Sequence, residues 1–234
     1  MKKVIEIESL HFTYPDGTVA LRGITLDVLE GEKVALIGPN GAGKSTFLLH
    51  LNGIFRGDGS VRIDGLPVEK DNLKAIRQKV GMVFQNPDDQ LFCPTVFDDV
   101  AFGPRNLGLD HDEIERRVSE SLAAVGMEGS VKKSPFRLSF GERKRVAIAT
   151  VLALRPSVLV IDEPTANLDP RSRRATIALL RDLHDTQVIA THDLALASEL
   201  CSRIILLDSG QKVADAPAAK ILEDNTLLQA HGLV

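Results

Sequence analysis

Val34-Ala35-Leu36-Ile37-Gly38-Pro39-Asn40-Gly41-Ala42-Gly43-Lys44-Ser45 begins as an apolar run suited to a buried strand. It continues as GxxxxGK[ST], the loop that wraps the phosphates of a nucleoside triphosphate. Each residue type has a physical reason. Glycines let backbone N–H groups close around phosphate oxygens, and a helix starting near Gly43 points the positive end of its dipole at them. Lys44 would reach the β- and γ-phosphates, and Ser45 offers a hydroxyl to Mg²⁺, which prefers oxygen ligands. The run Thr46 to Leu51 is compatible with that helix. The predicted nucleotide-contacting loop is therefore Gly38, Pro39, Asn40, Gly41, Ala42, Gly43, Lys44, Ser45 and Thr46.

Outward from the loop, strand and helix patterns alternate. Ile5-Glu6-Ile7-Glu8 and the turn Pro15-Asp16-Gly17 predict β structure with a solvated face. Further strands are expected over Ile24–Leu29, Ser60–Asp64, Gly81–Gln85, Val158–Ile161, Gln187–Thr191 and Arg203–Leu207, with helical stretches after Pro170 and Asp193. Such alternation implies a mainly parallel sheet with helices on both faces. From Asn86 to Gly141 four prolines separate helical pieces, which predicts an inserted helical subdomain at 86–141 within a nucleotide-binding core of 1–85 and 142–234. Its clearest helix starts at Asp110 as N-cap, carries Ile114, Val118, Leu122 and Val125 on one face, and stops at Gly126.

Bulk properties restrict the function. In 234 residues the net charge is −4, with no basic block that could track a nucleic-acid backbone. The two cysteines, Cys93 and Cys201, lack metal-site spacing. The N-terminal residues do not read as a signal peptide, and the longest apolar stretch, Val146 to Leu154, is too short to span a bilayer. A membrane role would come through a partner.

A phosphate loop needs a carboxylate at the end of a neighbouring buried strand. Val158-Leu159-Val160-Ile161-Asp162 supplies one, followed at once by Glu163. Asp162 would hold magnesium, through water, and Glu163 would polarise the attacking water. Three more segments accompany them: Leu138-Ser139-Phe140-Gly141-Glu142 upstream, Pro164 to Asp169 directly after, and Thr191-His192-Asp193 later.

In order and spacing these segments resemble the ATPase subunits of ATP-binding cassette (ABC) transporters, over nearly the whole chain. The resemblance implies an α/β P-loop NTPase of ABC ATPase type, with an antiparallel N-terminal β subdomain. It implies ATP and Mg²⁺ as ligands. Tyr14 becomes the aromatic that stacks on adenine, and Gln85 the residue that contacts magnesium and links it to the helical subdomain. His192, with Lys44 and Glu163, belongs to the catalytic set and holds the γ-phosphate. Ser139, Gly141 and Asp169 would meet the nucleotide of a second copy, because the family works as a head-to-tail dimer with two ATP molecules in the seam.

The usual signature is LSGGQ; here Phe140 replaces the first glycine and Glu142 the glutamine, a departure that bears on rate and on ATP affinity at the seam. The stretches Gln85 to Phe92 and Thr95 to Leu109 are similar to the ATPases of energy-coupling factor importers of vitamins such as biotin or metals such as cobalt and nickel. The chain runs little beyond Asn225, a short form suited to a dedicated, biotin-type ATPase. The resemblance implies integral membrane coupling and substrate-binding subunits as partners, a homodimer or a heterodimer with a related ATPase, the cytoplasmic face of the membrane, and no nucleic acid. The competing readings are a soluble cassette ATPase of translation or DNA maintenance and a nucleotide switch that does not turn over. The first lacks a second cassette or coiled-coil insertion here, and Glu163 with His192 argues against the second.

Overall fold

The computed structural model describes residues 2–183 and 186–234, and the chain forms two compact units. The first holds residues 2–80, 157–163 and 186–234 among those described. Its opening strands are β1 (Lys3–Thr13) and β2 (Val19–Leu29). Asp16 accepts a hydrogen bond from the amide of Thr18 at 2.9 Å in the turn between them, an Asx arrangement that reverses the chain. Strand β1 alternates as its sequence requires, burying Ile5 and Ile7, until a bulge at Ser9 resets the phase and buries Leu10.

The loop's own strand is β3 (Lys33–Ile37), followed by helix α1 (Lys44–Leu51). Strands β4 (Asp58–Ile63) and β5 (Leu66–Pro67) complete an antiparallel sheet in the order β2-β1-β4-β5. Helix α2 (Leu73–Lys79) leads into β6 (Val80–Val83), along which the chain leaves the first unit.

The second unit comprises residues 81–156 and 164–183. It contains α3 (Val96–Asn106), α4 (His111–Ala124), α5 (Phe140–Leu152) and, after β7 (Val158–Asp162) of the first unit, α6 (Pro170–Asp182). It reaches past the expected 86–141 segment on both sides. The reason is α5: capped at Ser139, it continues through Leu152 and buries Val146, Ala147, Ile148 and Ala149 against α3 and α4. Cutting the insert at Gly141 would expose that apolar face.

The remaining first-unit elements are β8 (Thr186–Ala190), α7 (Leu194–Leu200), β9 (Arg203–Asp208), β10 (Gln211–Pro217), α8 (Ala218–Glu223) and α9 (Asn225–Ala230). Strand β3 lies between β9 and β8, all parallel, and β7 pairs parallel with β8. All five residues of β7 and of β8 are buried, with apolar runs at 158–161 and 188–190 and the polar Thr186, Gln187 and Asp162 at the strand ends. Strand β10 runs antiparallel to β9, a pairing with no counterpart in the sequence-derived elements. Arg203 anchors this edge by pairing with Asp215 at 2.6 Å and Glu32 at 3.3 Å.

The Asp110 cap forms as its spacing requires, with the carboxylate accepting from the amide of Glu113 at 2.8 Å, and the helix stops before Gly126 at φ 64°. Asp110→Ala is expected to cost about 1 kcal/mol, read as a lower urea midpoint with an unchanged slope.

Candidate functional site

The parallel register of β3 delivers the phosphate loop to the end of the sheet. Gly43 caps α1 at φ 97° with no side-chain cap, and a Cβ there would come 2.6 Å from the carbonyl oxygen of Ala20. Only glycine fits that turn. The amides of the first helical turn thus keep no side-chain acceptor at the cap, which suits them to an anion. The Lys44 ammonium donates to the carbonyl oxygens of Gly38 at 2.7 Å and Pro39 at 3.0 Å. Burial lowers its pKa, against the opposing pull of the Glu163 and Asp162 carboxylates. A buried cation folded across a phosphate loop and facing two carboxylates matches the charge pattern of a nucleoside triphosphate site.

Both carboxylates are buried at the end of β7. Glu163 takes a left-handed backbone, φ 45°, uncommon for a non-glycine residue and costing about 1–3 kcal/mol. Its amide donates to the carbonyl of Ala190 at 2.9 Å. One carboxylate oxygen accepts from the amide and Nδ1 of His192 at 3.1 and 2.9 Å, and the other from the Thr191 hydroxyl at 3.2 Å. The bond to Glu163 places the ring proton of His192 on Nδ1, and His192 itself is exposed. Thr191 is fully buried; it had no assigned role in the sequence, and no spacing rule links it to Glu163.

Tyr14, the chain's single tyrosine, is fixed at the end of β1. Its hydroxyl shares a hydrogen bond with the Thr46 hydroxyl at 2.8 Å. Phe12 and Phe55 meet its ring edge-on at 5.1 and 5.7 Å. His50, buried beside them, donates from Nδ1 to the carbonyl of Thr46 at 2.7 Å. A residue assigned to adenine is thereby tied to the first turn of the phosphate-loop helix. Phe12, His50 and Phe55 escaped sequence reading because they read as ordinary core positions.

Ser45 is exposed and Asp162 buried, an oxygen donor set that fits Mg²⁺ when phosphates and water complete the shell. Among the described residues no group of three or more His, Cys, Asp or Glu could hold a metal ion.

Gln85, Ser139, Gly141 and Asp169 belong to the second unit. Gln85 is exposed, and its backbone is clamped. The fully buried Lys144 donates to the carbonyls of Phe84 and Gln85 at 3.0 and 2.7 Å. Gln90 accepts from the amide of Phe84 at 3.1 Å and donates to Ala147 and Thr150, both at 2.8 Å. Ser139 and Asp169 cap α5 and α6 and line one cleft of about 480 Å³. Gly141 is packed so tightly that a Cβ would lie 2.5 Å from the Ser172 hydroxyl.

Residues 21–166 match the family model described as ABC transporter. The energy-coupling factor transporter ATP-binding protein EcfA of Methanothermobacter thermautotrophicus is 52% identical over 236 residues, covering 98% of this chain and 76% of that protein. Among solved structures, cbiO1 of Clostridium perfringens, part of the ABC transporter complex cbiONQ, superposes with a TM-score of 0.87 at 36% identity, covering 100% of this chain and 96% of that one. The ATP-binding cassette MJ0796, in a dimeric post-hydrolysis state bound to ADP and Pi, superposes with a TM-score of 0.82 at 30% identity, covering 92% and 98%. The chain belongs to the ABC transporter family, as one of its ATP-binding, ATP-hydrolysing subunits. Among the described residues no helix is long and apolar enough to cross a membrane.

His50 links the stability of this region to pH. Burial depresses its pKa, opposed by the bond to Thr46, and Nε2 has no hydrogen-bond partner among the described residues. The unfolded chain protonates first as the pH falls below about 6.5, so the contribution to stability is complete above that value and is lost on acidification. The melting temperature is expected to fall between pH 7 and pH 5, with a shallower slope in His50→Gln.

Proposed function

We propose that the chain is the ATPase subunit of an energy-coupling factor importer, driving uptake of a vitamin such as biotin or a transition metal such as cobalt or nickel through integral membrane partners at the cytoplasmic face. The observation that carries the chemistry is the Glu163 carboxylate, buried at the end of β7 and held by Thr191 and His192. Kinship with EcfA and cbiO1 supports the importer class.

Phosphoryl transfer to water asks the protein mainly for positioning and charge stabilisation. Lys44 leaves the carbonyls of Gly38 and Pro39 for the β- and γ-phosphates, His192 holds the γ-phosphate, and Glu163 orients and deprotonates the attacking water. Ser45 and Asp162 would hold Mg²⁺, which supplies positive charge to the phosphates when bound. Tyr14 stacks on adenine. Two copies close head to tail, so that Ser139, Gly141 and Asp169 of each complete the other's site; the dimeric state of MJ0796 supports this arrangement.

The two charged residues have separable roles. Glu163→Gln is expected to lower single-turnover hydrolysis by roughly 10²–10⁴-fold while ATP binding is retained. Lys44→Ala is expected to weaken nucleotide binding itself, measured by titration. Near-wild-type turnover by Glu163→Gln would remove the assignment of the base.

The membrane partner docks on the surface around the turn at residues 87–89 and α3. Phe92 and Phe102 are 61% and 46% exposed and meet edge-on at 5.0 Å, and Asp89 is exposed nearby in sequence. The acid pair Asp88-Asp89 is the expected face for basic side chains of the membrane partner; Asp88 is engaged by Arg143 at 2.9 Å, so Asp89 is the cleaner test. Phe92→Ser combined with Asp89→Lys should lower uptake by the assembled transporter and spare the ATPase activity of the isolated chain; unchanged uptake would move the docking surface elsewhere.

A further inference from the structure

The departure from LSGGQ at Glu142 has a stereochemical consequence at the Ser139 hydroxyl. Glu142 and Ser139 form a reciprocal capping box at the start of α5. One carboxylate oxygen of Glu142 accepts both the amide proton and the hydroxyl proton of Ser139, each at 2.8 Å, while the hydroxyl oxygen accepts from the amide of Glu142 at 3.3 Å. A serine hydroxyl carries one proton, and an ionised carboxylate only accepts. The single proton of Ser139 is therefore turned inward, and the hydroxyl offers lone pairs to whatever enters the cleft that Ser139 lines with Glu142, Arg145, Asp169, Arg171 and Ser172. The bonds from Ser139 hold the Glu142 carboxyl below its ordinary range, with Lys133 and Arg145 adding to the effect, so it is charged at neutral pH.

We infer that Glu142 is a positioning residue that restrains ATP-driven pairing of two copies by withholding the Ser139 proton from the γ-phosphate of the partner's nucleotide. The inference rests on the composite-site reading above and adds a residue that sets its affinity. For Ser139 to donate to a phosphate oxygen, its proton must leave Glu142, and a carboxylate and a phosphate then share one hydroxyl as neighbouring anions. A glutamine at this position changes both terms. Its neutral carbonyl oxygen can replace the carboxylate oxygen that accepts from the Ser139 amide and hydroxyl, and as a weaker acceptor it gives up the hydroxyl proton to the cleft more readily. The cap survives and the negative charge is gone.

The test uses the full chain carrying Glu163→Gln to arrest hydrolysis, with dimer formation followed by sedimentation across an ATP titration. Adding Glu142→Gln is expected to lower the ATP concentration at half-dimerisation several-fold, with an unchanged melting temperature. Adding Ser139→Ala to that protein should erase the gain, because the gain acts through the hydroxyl proton. Glu142→Ala separates capping from charge: loss of the cap lowers its melting temperature, which Glu142→Gln does not. If the Glu163→Gln protein dimerises with ATP and Glu142→Gln leaves the midpoint unchanged or raises it, the restraint is overturned while the composite site stands. If no variant dimerises at saturating ATP, the composite-site reading fails and the restraint fails with it.

Discussion

A buried carboxylate is costly unless it is hydrogen-bonded, and the register of β7 against β8 provides partners for Glu163. Asp162 lies opposite Ala190 in that ladder, and the amide of Glu163 takes one further bond to the Ala190 carbonyl. The chain then turns at φ 45°, directing the carboxylate to Thr191 and His192, the two residues that follow Ala190. A slip of one residue would turn the Asp162 side chain to the other face of the sheet and break this set of bonds. Because β8 also pairs with β3, the strand that carries the phosphate loop, two parallel ladders sharing β8 fix the carboxylate pair and Lys44. The buried Val, Ile and Leu residues of these strands stabilise the ladder, and they make the strain at Glu163 tolerable.

The same logic separates what was legible in the sequence from what was not. The phosphate loop, the Asp110 cap with its Gly126 stop, and Asp162 at the end of an apolar run depend on neighbours in sequence, so spacing rules reach them. Strand β10 does not announce itself: Gln211 to Pro217 mixes charged and small residues, and it is a strand because β9 offers an edge and Arg203 binds Asp215. The helical unit extends past Gly141 because α5 packs as one helix from Ser139 onward, which local composition cannot reveal. Thr191 and the Tyr14–Thr46–His50 linkage join residues 28 and 32 positions apart, contacts that exist only once the sheets have formed.

Gln85 shows how a loop residue can be controlled without restraining its side chain. Lys144 and Gln90 bind the backbone of Phe84 and Gln85 directly after β6, both of them anchored on or against α5. Fixing main-chain atoms leaves the Gln85 side chain free to respond to a ligand, while any shift of α5 moves the loop with it. Within the second unit these bonds join α5 to the loop at Gln85 through the buried Lys144 and the half-buried Gln90, polar groups that are costly to leave unpaired.

The N-termini of α1, α5 and α6 are finished in different ways. Helix α1 starts at a glycine that supplies no side-chain acceptor, which leaves its first amides to an anion from outside. Helix α6 starts at Asp169, whose carboxylate already satisfies the amides of Arg171 and Ser172 and the hydroxyl of Ser172. Helix α5 lies between these extremes: its cap is a hydroxyl, able in principle to donate outward, but bound by an acid three residues on. The hydrogen bonds already made at each first turn thus set how much capacity each helix end keeps for an anion.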